Sequence, residues 1–77
     1  MTRTAHPRFL VCIDNDGNPA SLEVGTVYRA LPTEKIAREM SQLRVVDESG
    51  EDYLYPASHF ANVRLPQAAK VALLRAR

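Results

Sequence analysis

The sequence predicts an all-β (mainly β) fold: five short strands in one antiparallel barrel, with a short helical turn and a short C-terminal helix or tail. Three observations predict it. The chain has 77 residues, 45% hydrophobic and 25% charged, which suffices for one core and is too apolar for wholesale disorder. Runs rich in aromatic and β-branched residues are cut at short intervals by Gly, Pro, Asn and Asp clusters. A single flat sheet of such strands would leave much apolar surface in water, so the sheet must curl.

The first run, Arg8–Asp14 (RFLVCID), ends in the turn cluster Asn15-Asp16-Gly17-Asn18-Pro19. Its apolar residues fall on both faces, which predicts a strand covered on both sides. Gly25 precedes the second strand, Thr26–Leu31, which Pro32 stops. Residues 33–42 have helix formers but only a weak apolar stripe, Ile36, Ala37 and Met40, so they read as a loop with a helical turn. Leu43–Asp47 and Asp52–Pro56 flank Glu48-Ser49-Gly50-Glu51, a hairpin pattern. A short turn over 57–60 leads to a last strand, Ala61–Leu65, ended by Pro66. The barrel is therefore expected over 8–65, with a basic helix or tail over 66–77. Phe9, Val11, Leu22, Tyr28, Ala30, Val46, Tyr55 and Phe60 are expected to face inward together.

Charge is segregated along the chain although the net charge is only +1. Residues 9–25 carry Asp14, Asp16 and Glu23 and no base; 47–52 carry Asp47, Glu48, Glu51 and Asp52 and no base. Residues 53–77 carry Arg64, Lys70, Arg75 and Arg77 and no acid. No apolar run approaches the roughly 18 residues of a membrane span, and the N-terminus lacks the apolar stretch of a secretory signal. Together these predict a cytoplasmic protein without a membrane partner. One cysteine makes no internal disulfide and, with two histidines, no zinc site.

Several residues resemble the Src-homology-3 (SH3) family. Leu22-x-x-Gly25-x-x-Tyr28-x-Ala30 is similar to the family's approach to its second strand. Tyr55-Pro56-Ala57-Ser58-His59-Phe60 is similar to its closing segment, a proline and a tight turn between two core residues. Val11-Cys12-Ile13-Asp14-Asn15 stands where SH3 domains carry Ala-Leu-Tyr-Asp-Tyr. Cys12–Asn15 and Asp47–Pro56 also look like stretches of short uncharacterised bacterial proteins. The resemblance implies an SH3-like barrel over residues 8–65 and a groove that gathers Ile13, Asn15, Pro56 and His59. SH3 domains line that groove with tyrosines and a tryptophan. This chain has Ile13, Asn15 and His59 at the tyrosine positions and no tryptophan. Flat aromatic faces grip a polyproline helix, so the usual Pro-rich ligand is not expected.

Each candidate site has a plain structural rival. Asp14-x-Asp16-x-Asn18 opens like a calcium loop, but Pro19 and Gly25 replace that motif's glycine and glutamate, so an Asx turn is expected instead. Cys12 and His59 suggest a nucleophile and base, yet Cys12 lies in an apolar run where thiols are inert. The acids at 47–52 suit either a docking patch or a solvated turn, and the turn is favoured. No paired-carboxylate, phosphate-loop or nucleophile motif is present, so no enzyme and no cofactor is expected. The favoured reading is a protein-interaction module that uses Asn15, Asp16, Glu23, Pro56 and His59, on the face between loops 14–25 and 32–42. The rival is a nucleic-acid-associated, RNA-binding barrel using Arg29, Arg38, Arg44 and the tail.

Overall fold

A computed structural model describes residues 8–75. Arg77 and the N-terminal residues before Arg8 lie outside them. The elements are β1 (Arg8–Cys12), β2 (Val27–Leu31), α1 (Lys35–Glu39), β3 (Gln42–Val46), β4 (Asp52–Pro56), a 3-10 turn (Ala57–His59), β5 (Phe60–Asn62) and α2 (Gln67–Arg75). All five strands pair antiparallel in one curled sheet, in the order β4-β3-β2-β1-β5. The fold class expected from sequence is thus the observed one. The last strand is shorter than expected, ending at Asn62 rather than Leu65, because the chain leaves the sheet there to enter α2.

β2 shows how sequence sets the sheet. In Val-Tyr-Arg-Ala-Leu, Tyr28 and Ala30 are buried while Arg29 is exposed, the period-two alternation of a strand with two unlike faces. Pairing of Leu10 with Tyr28 then turns Leu10 and Cys12 into the same core. Leu22, Val45, Tyr55 and Phe60 complete it, with Leu43 packed alongside. The ring of Phe60 meets Tyr55 edge-on, with centroids 6.3 Å apart.

Three of the residues expected inside do not join this core. Phe9, Val11 and Val46 point to the opposite face of the sheet; Leu10, Cys12 and Val45 take the inward positions. β1 is apolar at four consecutive positions and β3 ends in Val45-Val46, so alternation leaves the phase of both strands open. α2 lies against part of the second face. Leu73 and Leu74 lie over Phe9, Val27, Arg29 and Val46, and Phe9 is buried there. The prediction that β1 is covered on both sides holds for this reason.

The turns follow from residue chemistry. Gly25 and Gly50 have φ of +90° and +85°, a left-handed conformation that side chains with a Cβ rarely adopt. Gly25 re-enters the ladder where its amide meets the Cys12 carbonyl at 2.8 Å. Gly50 closes the β3–β4 turn onto the Asp47 carbonyl at 3.0 Å.

Candidate functional site

The 3-10 turn ties together the two loops that flank it. The His59 carbonyl accepts from the amides of Ile13 (2.8 Å) and Asp14 (3.3 Å). On the other side, the Ala57 amide donates to the Ser41 carbonyl at 2.8 Å, where the loop carrying α1 ends. The turn is therefore the point where loop 13–26 and the end of loop 32–41 meet.

The site residues expected from sequence occupy the face around this turn unequally. Asp16 and Glu23 are exposed. The Asp16 carboxylate makes no hydrogen bond or ion pair among the described residues. Glu23 accepts from the Thr26 hydroxyl at 3.4 Å. Pro56 is exposed where the 3-10 turn begins. Asn15 is half-buried, and its side-chain amide donates to the Leu22 carbonyl at 3.0 Å, holding the loop in shape. His59 is buried; its Nε2 donates to the Asp16 carbonyl at 3.1 Å. That contact puts the neutral ring's proton on Nε2, and Nδ1 has no partner among the described residues. The ring thus braces the loop from beneath and offers little surface to a ligand.

Of the apolar part of the face, the sequence marks Ile13 as a groove residue and misses Val24. Ile13 and Val24 are 55% and 53% exposed, and they flank the last hydrogen bonds of the β1–β2 ladder. Ile36 on α1 and Met40, its C-cap, are 70% and 69% exposed. In the sequence, Ile36 and Met40 form only a weak stripe. Val24 lies three positions before β2, where no strand periodicity marks it.

At the acidic hairpin tip, Glu48, Glu51 and Asp52 lie on the exposed turn expected, and Asp47 does not. Asp47 is 1% exposed and accepts from the Tyr55 hydroxyl (2.5 Å), the Ser49 hydroxyl (2.6 Å) and the Ser49 amide (2.9 Å). Burial alone would raise its carboxyl, but the hydrogen bonds from Ser49 and Tyr55 together hold it below the usual carboxylate range. Glu48 accepts from the Tyr28 hydroxyl at 2.5 Å, and the same hydroxyl accepts from the Glu23 amide at 2.7 Å. Burial first, and then the Glu48 carboxylate, push the Tyr28 phenol up to about 12. Glu51 pairs with Tyr53, and Asp52 with Arg44. The missed signal was the tyrosines: a buried phenol needs a partner, and these acids supply it.

Asp14 Oδ1 accepts from the Asp16 amide at 2.9 Å, the expected Asx turn. Cys12 is buried, and burial first, then the charge of Asp14, raise its thiol above its ordinary value. Its Sγ lies 3.4 Å from the Asp14 carbonyl, to which it donates, and the His59 ring nitrogen is engaged by Asp16. Of the cations named for a nucleic-acid surface, Arg44 is held between Glu34 and Asp52, each at 3.0 Å. Arg38 donates to the Thr33 carbonyl, and Arg29, though exposed, lines a pocket with Leu73 and Leu74 of α2. No helix among the described residues is long and apolar enough to cross a membrane.

No family model, no curated protein and no solved structure matches the chain.

Proposed function

We propose that this chain is a non-catalytic protein-interaction module on an SH3-like barrel, and that it does not bind polyproline in the usual way. The SH3-like reading is supported by the strand order, with the 3-10 turn between β4 and β5. The binding face is that of loop 13–26 and the 3-10 turn, with Ile36 on α1 and its C-cap Met40. One observation carries the reading. Exposed apolar side chains, Ile13 and Val24, sit beside exposed carboxylates, Asp14, Asp16 and Glu23, on a loop pinned by His59, Asn15 and Tyr28. A pinned loop presents its side chains with little ordering cost on binding. Apolar anchors ringed by acid suit a partner segment with aliphatic side chains and flanking lysine or arginine.

Titration calorimetry tests this with two probes, an amphipathic Lys/Leu peptide and a Pro-rich peptide. The Lys/Leu peptide should bind measurably, and Asp16→Lys with Glu23→Lys should weaken it at least about tenfold, the effect of losing about 1.4 kcal/mol. The Pro-rich peptide should bind no tighter than about millimolar. Equal binding of the Lys/Leu peptide to wild type and variant removes the acidic face from the account.

A further inference from the structure

A second surface lies at the other end of the β1 strand, away from the acidic loop. There Arg8 opens β1, Asn62 closes β5, and Arg64 and Leu65 lead into α2. These residues, with Phe9, Val63 and Lys70, line an open recess of about 510 Å³. Three of its seven lining residues are cations and none is an acid. Among the described residues, neither Arg64 nor Lys70 forms an ion pair. Arg8 donates to the Asn62 side chain at 3.1 Å, which fixes its guanidinium while most of its five N–H donors stay unused.

The placement of Lys70 is an independent sign. It stands near the start of α2, its amide bonded to the Pro66 carbonyl at 3.1 Å, in a helix whose first turn holds no acid. The N-terminal end of a helix is its positive end, and its first amides lack intrahelical acceptors. A lysine near that end, with arginines around it, goes against the local rule for helix stability. An anion seated in the recess relieves all of these charges at once. Local rules broken together without an internal compensation mark functional surfaces.

We propose that this recess binds the phosphodiester backbone of a single-stranded nucleic acid through Arg8, Arg64 and Lys70. An open recess lined by three cations and no acid suits contacts to successive phosphates, and without an exposed aromatic among its lining residues it offers no platform for base stacking. The recess shares no lining residue with the acidic loop 13–26; Arg8 also lines a pocket with Pro32, Thr33 and Arg38, so Arg64 and Lys70 are the residues that test the recess alone. The proposed site keeps Lys70 from the cations that the sequence suggests and replaces Arg29, Arg38 and Arg44, of which Arg44 is neutralised, with Arg8 and Arg64.

Fluorescence anisotropy of a labelled oligouridylate with the full chain provides the test. Three phosphate contacts predict a slope of log K against log salt near −2, from about 0.7 per contact on a single strand. Affinity should then fall roughly 15-fold between about 50 and 200 mM salt. Arg64→Gln and Lys70→Gln should each flatten the slope by about 0.7, with the circular dichroism spectrum unchanged. Lys35→Gln, on α1, should leave the slope as it is. An unaltered slope in the Arg64→Gln/Lys70→Gln double variant overturns the proposal. So does absence of binding at low salt. Competition by inorganic phosphate at equal phosphate concentration would show a lone-anion site, and tighter binding of polyglutamate an acidic-peptide site; either result also overturns it.

Discussion

Replacing Asp47 with alanine tests the hairpin lock. The carboxylate is buried and accepts three hydrogen bonds, two of them from exposed Ser49, which can turn to water. The third comes from Tyr55, whose side chain is 5% exposed and cannot. A hydrogen bond to a charged group contributes about 1.5–3 kcal/mol, and a buried donor left unpaired costs about 1–3 kcal/mol. Asp47→Ala should therefore cost about 2–4 kcal/mol, against a total near 4–12 kcal/mol at about 0.05–0.15 per residue. For a domain this size that lowers Tm by about 10–30 °C, read by circular dichroism. In a cycle with Tyr55→Phe, the double variant should lose less than the sum of the singles by about 1–3 kcal/mol. The pH arm has a definite sign. The folded-state carboxyl is held below its ordinary value of 3.8, so its stabilisation is present above that value and is lost as pH falls through the folded pKa. The gap between wild type and Asp47→Asn should accordingly narrow below about pH 4. Additive single variants, or an Asp47→Ala protein melting within about 2 °C of wild type, would refute the lock.

Phe60→Ala should cost about 3–5 kcal/mol, since the ring is buried against Tyr55; a melt near that of wild type would misplace it. Cys12, 1% exposed and with its thiol raised by burial, should react with thiol reagents only as fast as the protein opens. Rapid labelling of the native protein would contradict its place in the core. Calcium should leave Tm unchanged, because an ion bound only by the native state must raise it.

The legible parts of the fold were those where sequence states both the element and its phase. In β2, Arg29 between Tyr28 and Ala30 fixes which face is inward, and the Gly50 turn fixes the β3–β4 hairpin. In β1 the order Phe9-Leu10-Val11-Cys12 is apolar throughout, and only the pairing of Leu10 with Tyr28 decides the phase. That pairing is a long-range contact which no local pattern records. The same holds at the candidate face. Asp16, Glu23 and Pro56 were visible as exposed polar or turn residues, whereas the burial of His59 depends on a loop carbonyl 43 residues earlier in the chain. Asp47 looked like one more solvated acid because its partner, Tyr55, lies across the hairpin.

Backbone NMR of the labelled domain, titrated with the Lys/Leu peptide and then with a Pro-rich peptide, bears most directly on the claim of an acidic-apolar interaction face. The account predicts saturable shifts with the Lys/Leu peptide at the amides of Ile13, Asp16, Glu23, Val24, Met40 and Ser58, with Arg8 and Arg64 unmoved, and no saturation with the Pro-rich peptide. Saturable micromolar shifts with the Pro-rich peptide, or Lys/Leu shifts elsewhere on the domain, would contradict it.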